Sequence, residues 1–385
     1  MIDKITQPIG QLDLIDKTNE IIDEKQDALT AGTSISIVDV SPSEPVDTRS
    51  TASIVTVGSN RWQGVAYGNG VFVAVGNDGY VAYSSDGATW STPTQVGTNS
   101  WYSITFANGK FVAVGNSGYT TTTIDGQTWT TPVQVSGLSQ RLQQVRYGNG
   151  IFLAVGYDSK STTSVDGQTW TTPVSIGGNG MAVVFDGSKF VATGRIGIKT
   201  TIDGTSWTYV SSTPIDFITA ISYGNGTYVV GRDSDGAIYY STNLTSWSAS
   251  VSVLDVVESI YWTGTQFIAV GRRAITASNF KYSTITTTDG ITWTTPVDIG
   301  DSASSSVIAY GFLSITSNGN GKFVAVGDSG ATTTFEISAG QEGGTVISAI
   351  VDSTLSTTST NPVQNKAVYN AIEAARSTIT FRDWS

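Results

Sequence analysis

The sequence predicts an all-β chain folded as a seven-bladed β-propeller, with an N-terminal strand closing the last blade and short helical segments on both flanks. Three observations predict it. A motif close to Ser/Thr-x-Asp-Gly-x-Thr/Ser-Trp recurs, ending at Trp90, Trp129, Trp170, Trp207, Trp247 and Trp293. The gaps between these tryptophans are 39, 41, 37, 40 and 46 residues, the length of a four-stranded blade. Upstream of each lies a hairpin signature, YGNGVFVAVG (67–76) in the first copy, and a seventh copy, SNGNGKFVAVG (317–327), has no Trp motif after it. The seventh copy therefore lacks an outer strand. Residues 53–62, SIVTVGSNRW, align with 132–142, a fourth strand and its loop, so Ser53–Val57 is expected to complete the last blade.

Within the first repeat, strand A is expected at Gln63–Tyr67, B at Val71–Val75, C at Tyr80–Ser84 and D at Thr92–Val96. Asn69-Gly70 joins A to B, a pair that tolerates the positive φ of a two-residue hairpin. In the C–D turns the recurring Asp86, Asp125, Asp166, Asp203 and Asp289, with Asn243 in the fifth copy, are expected to accept backbone N–H bonds. Their tryptophans are expected to pack between hairpins. Recurrence in nearly every repeat marks these residues as structural; calcium coordination is the alternative reading.

Composition narrows the chemistry. The 385 residues contain no Cys and no His, which excludes disulfides, thiolate or imidazole metal sites and His-based triads. A net charge of −11 repels phosphate backbones, so nucleic acid is not an expected partner. No basic-then-apolar leader and no long apolar run is present, so neither a signal peptide nor membrane insertion is expected, and synthesis in a cytoplasm is. No cofactor is expected.

The domain plan is 1–40 as an oligomerisation or attachment segment, 41–51 as a linker, 52–336 as the propeller and 337–385 as a second such segment. Leu12, Ile15, Asn19, Ile22, Gln26 and Leu29 follow the 3-4 spacing of a short parallel coiled coil; a lone amphipathic helix is the alternative. Asn361-Pro362 with Gln364 is a helix start, followed by an apolar stripe at Val368, Ile372 and Ala375.

Two resemblances follow from these residues. The repeats resemble the Asp-box propellers of the sialidase-like superfamily, although the motif is one residue shorter than S-x-D-x-G-x-T-W. The flanking phrases KQDALTAGTSISI and STTSTNPVQNKAVYNAIEAA resemble segments of tail-fibre, head-fibre and other virion-surface proteins of bacteriophages. That second resemblance implies a virion location, homotrimers, other virion proteins as partners, and host attachment.

In a propeller with this strand order, the A–B and C–D turns share one face, and the B–C and D–A loops share the other. The chain enters at the start of a D strand and leaves at the end of a C strand, so both ends of the ring are expected on the A–B/C–D face. The B–C turns vary most, and Arg195, Arg232, Arg272 and Arg273 stand on or beside them, with Arg141 in a D–A loop. The expected ligand-binding rim is Tyr157, Asp158, Arg195, Arg232, Asp233, Arg272, Arg273 and Phe312, with a host-surface glycan as ligand. Arg would clamp anionic groups, while Tyr157 or Phe312 would stack on sugar rings.

The expected function is non-enzymatic adhesion; a purely architectural virion decoration is the alternative. A glycoside hydrolase is the further rival. The sialidase resemblance implies an arginine triad and a Tyr–Glu pair, but Arg-Ile-Pro is absent from the first blade, and Glu258 and Glu336 are the only glutamates between 52 and 336.

Overall fold

The computed structural model describes residues 53–336 apart from 196, 212–217, 233–234, 251–253, 277–278 and 302–311. The expected segments at 1–40, 41–51 and 337–385 lie outside the described residues. The described residues form seven four-stranded antiparallel sheets. The first strand, β1, is Ser53–Thr56. Blade 1 follows with β2 (Trp62–Gly68), β3 (Val71–Gly76), β4 (Tyr80–Ser84) and β5 (Thr94–Gln95). Blade 2 has β6 (Trp101–Ala107), β7 (Lys110–Gly115), β8 (Tyr119–Thr123) and β9 (Val133–Gln134). Blade 3 has β10 (Leu142–Gly148), β11 (Ile151–Gly156), β12 (Lys160–Ser164) and β13 (Val174–Ser175). Blade 4 has β14 (Gly180–Phe185), β15 (Phe190–Gly194), β16 (Ile198–Thr201) and β17 (Thr208–Ser211). Blade 5 has β18 (Ile218–Gly224), β19 (Thr227–Arg232), β20 (Ile238–Ser241) and β21 (Ser248–Ser250). Blade 6 has β22 (Val256–Trp262), β23 (Phe267–Thr276), β24 (Asn279–Thr287) and β25 (Val297–Asp301). Blade 7 combines β26 (Phe312–Ser317), β27 (Lys322–Gly327) and β28 (Ala331–Glu336) with β1.

The first strand of each blade neighbours the first strand of the next, and β26 returns to β2. These strands form the inner wall of a closed ring, so no sheet is left to cover a face alone. The core lies between sheets. On β3, Phe72 and Ala74 pack towards blade 7, while Val73 and Val75 pack towards blade 2. This is why FVAVG reads as an unbroken apolar run: both faces of the strand are buried.

Closure is the one expected. β1 pairs antiparallel with β28, Ser53 opposite Thr334 and Thr56 opposite Ala331. Val57 extends the ladder by donating its N–H to the Gly330 carbonyl at 2.7 Å, and the Trp62 indole donates to the Val57 carbonyl at 3.1 Å. Antiparallel pairing brings Ser53, where the ring begins, to the same edge as Glu336, where it ends. Both lie on the A–B/C–D side.

The turn chemistry is also as read. Asn69 and Gly70 have φ of 48° and 81°, the two positive values a tight hairpin needs. In the C–D turn of blade 3, Asp166 Oδ1 accepts the N–H groups of Gln168 and Thr169 at 2.8 and 2.7 Å, and the Ser164 hydroxyl accepts from Gly167 at 2.8 Å. A Cβ on Gly167 would sit 2.5 Å from the Val112 side chain of blade 2, so the turn presses on the preceding blade. The Asp86, Asp125, Asp203, Asn243 and Asp289 turns repeat the bonding. Trp90, Trp129, Trp170 and Trp247 donate to the carbonyl three residues earlier, whereas Trp207 donates to the Ser161 hydroxyl. Trp293 has no such bond, though it packs against the core between blades 5 and 6.

Three expectations need correction. The outer strand of blade 1 is Thr94–Gln95 rather than Thr92–Val96: only these two residues pair with β4, opposite Val81 and Tyr80, and Val96 adds a single N–H bond to the Gly79 carbonyl beyond them. Arg272 and Arg273, expected on or beside a B–C turn, stand instead in a ladder: Arg272 pairs with Tyr282 and Arg273 with Lys281 in an extended β23–β24 hairpin. Phe312 is no sugar-stacking platform. It is 2% exposed, packed with Ile299 and Phe323 in the core between blades 6 and 7.

Candidate functional site

Each inner strand carries a β-bulge at the same place, near its first residue. The residue before the bulge is buried in every blade, as in Trp62, Trp101 and Leu142. The bulged residue itself is partly exposed. A bulge leaves its extra residue unpaired and turns the side chain off the sheet. One such side chain per blade therefore stands around the ring's opening on the B–C/D–A face. They are Gln63, Tyr102, Gln143, Met181, Thr219 and Glu258 in blades 1–6, with Leu313 in blade 7. Their chemistry differs from blade to blade while the framework around them repeats.

Arg141 projects beside this opening from the loop between blades 2 and 3. Its guanidinium carbon lies 4.0 Å from the Tyr157 ring centroid and 4.8 Å from that of Tyr102. Two rings cover the guanidinium, one from a B–C turn and one from a bulge. The loop is held as well. The Tyr157 N–H donates to the Arg141 carbonyl at 3.0 Å, and Asp158 accepts the N–H groups of Ser139 and Gln140 at 2.7 and 3.0 Å. Burial raises the Asp158 carboxyl, but those N–H groups and Lys160 outweigh it and hold the group below its ordinary range. Asp158 thus shapes the loop. Among the described residues no carboxylate pairs with Arg141, and its buried Nε has no hydrogen-bond partner. The buried carbonyl oxygen of Gln143, two residues on, has none either.

The other arginines expected on the rim behave differently. Arg232 is bound to Asp235, and Arg273 to Asp298, which also holds Lys281. Arg61 bonds Asp328 at 2.8 Å. Such neutralised guanidinia have little charge left for a ligand. Arg195 is exposed, and Asp233 lies outside the described residues. Arg272 stands in the ladder opposite Tyr282. Burial is the main influence on the Tyr282 hydroxyl, with Arg272 opposing it and Asp328 and Glu258 adding to it; the net effect is well above the ordinary range, so the group stays protonated at neutral pH.

The structure therefore brings Tyr157 and Arg141 together and adds Tyr102 and Gln143, which reading the repeats by turn did not find. The signal was present: aligned inner strands share a varying column between buried neighbours. Among the described residues no cluster of three or more Asp or Glu is placed to hold a metal ion. No helix there is long and apolar enough to cross a membrane.

The fold defines the chain as a seven-bladed β-propeller, and solved structures agree. It is similar to YCF48 bound to D1 peptide, with a TM-score of 0.56 at 16% identity over 79% of this chain and 100% of that one. The WD40 β-propeller domain of Doa1 gives 0.58 at 12% identity over 76% and 98%. YCF48 from Cyanidioschyzon merolae gives 0.56 at 15% identity over 74% and 99%. No family model matches, and no curated protein does.

Proposed function

We propose that this propeller is a non-enzymatic adhesion module of a bacteriophage virion fibre or appendage, binding a host-surface glycan on its B–C/D–A face. The observation that supports this is the opening itself: varied side chains on a repeating framework, with one preorganised and unneutralised guanidinium among them. Because tyrosine rings cover the faces of Arg141, its edge is the open approach, and an in-plane acidic group on a sugar matches that edge. The segments at 1–40 and 337–385 serve trimerisation or attachment to other virion proteins, and the phage-like phrases within them support that role. The ring's own ends, Ser53 and Glu336, lie on the opposite face.

The test is glycan-array and host-envelope binding of the full chain. A charge-assisted pair contributes about 1.5–3 kcal/mol, so Arg141→Ala is expected to weaken binding roughly 10- to 150-fold. Arg273→Ala, whose charge is already held by Asp298, is expected to change it little. Undiminished binding by Arg141→Ala would remove Arg141 from the site.

A further inference from the structure

The outer edge of blade 7 is built unlike the others. The outermost strand of a blade leaves one row of backbone N–H and C=O groups unpaired, an edge on which another strand can add. In blade 7 the Val57 N–H bonds the Gly330 carbonyl, so Val55 and Ser53 also face β28, while Ile54 and Thr56 face outward. The residues in register with Ile54 in blades 1, 2, 3 and 6 are Pro93, Pro132, Pro173 and Pro296. Proline has no N–H, so those edges cannot donate there. Blade 4 has a bulge at that point, and blade 5 has Ala249 in a strand of three residues. The β1 strand has four residues, none of them proline or charged.

This edge is also open on both faces. Ile54 and Val55 point to opposite faces of β1, yet they are 41% and 36% exposed, and Thr56 is exposed too. Among the described residues no strand pairs with the outer side of β1. Beside it lies a cavity of about 240 Å³, lined by residues 55–58 of blade 7 and 90–93 of blade 1. Val55, Val57, Trp90 and Pro93 give it apolar walls, and no charged residue lines it, in a chain of net charge −11. Gly58 closes one end: a Cβ there would stand 3.0 Å from the Pro93 ring. A strand laid along Ile54 and Thr56 passes the mouth of this cavity, because Val55 and Thr56 belong to both.

The two features fit one kind of occupant. Free N–H and C=O groups two residues apart match the repeat of an extended backbone, and an uncharged cavity takes an uncharged side chain. We propose that an extended, uncharged peptide strand of a partner protein adds to β1, its backbone bonding Ile54 and Thr56 and one apolar side chain entering the cavity against Trp90. This surface is on the strand farthest from the ring's inner wall, so it acts independently of the opening.

Fluorescence anisotropy of a labelled, end-capped hexapeptide of alternating threonine and valine, titrated with the full chain, tests this. Saturable binding is expected, with slowed amide hydrogen exchange in residues 53–58. The same peptide methylated at its backbone nitrogens, which cannot donate, is expected to bind at least tenfold more weakly, as is one alternating lysine and glutamate. Ile54→Pro copies the residue of four other blades and is expected to weaken binding roughly tenfold, the contribution of one edge N–H bond. Should that variant fail to fold, the methylated peptide and the exchange pattern of the wild type decide. No saturable binding, equal affinity for the methylated peptide, or unchanged exchange in 53–58 overturns the proposal. So does equal binding by a folded Ile54→Pro. Sedimentation of the chain alone tests the other occupant: a mass that rises with concentration in the wild type but not in Ile54→Pro puts a second copy on this edge and overturns the assignment to a partner.

Discussion

Leu244 stands where the other C–D turns with this motif have glycine, and replacing it with that glycine is expected to destabilise the protein. Two effects oppose each other. Leu244 has φ of 66°, a left-handed conformation that costs a side chain about 1–2 kcal/mol and that glycine adopts freely. Its side chain is only 3% exposed, packed with Val191, Ile198 and Val230 between blades 4 and 5. Removing a buried leucine costs about 2.7–5 kcal/mol when the cavity stays open. The turn's bonds survive, since Ser241 and Asn243 hold it and Trp247 donates to the carbonyl of residue 244. Burial wins by about 2 kcal/mol. Leu244→Gly should therefore lower Tm by roughly 5 °C, with an unchanged denaturant slope in urea. A variant as stable as the wild type, or more stable, would mean that backbone strain outweighs packing here.

Two further outcomes follow from the bonding. Asp86 is held near 2, chiefly by the Thr89 N–H, and Asp166 near 2 because its N–H bonds outweigh the opposing effect of burial. Both lie below the unfolded carboxylate value of about 3.9, so their stabilisation is complete above pH 4 and lost as pH falls towards 2. Acid melts of Asp166→Asn, which keeps the acceptor but cannot titrate, should be flatter across that window; an identical slope would assign the loss elsewhere. At the clasp, Val57→Pro deletes the N–H bonded to Gly330 and should cost about 2–3 kcal/mol, while Ile54→Pro, whose N–H faces away from β28, should cost far less. Chemical denaturation compares the pair, and equal losses would mean that the ladder at Val57 does not hold the ring shut.

Much of the fold was legible because its rules are local. The number of blades follows from counting Trp motifs and YGNG-type hairpins, and the clasp from finding one C-strand copy without its D strand. Asp166, Gly167 and Trp170 act within one short turn, so their spacing alone identifies their roles. The column with Tyr102 and Gln143 varies in the aligned repeats, but that it is bulged follows only from the pairing register of the inner strands.

What the chain order could not decide was charge. Arg141, Arg232 and Arg273 look alike in sequence, yet one is left between two tyrosines while the others meet Asp235 and Asp298. Coulomb interactions and desolvation depend on distance through space and on what has been excluded around a group. The sequence determined by itself which residues build the blades; the tertiary structure alone decided which cations remain without a counter-charge.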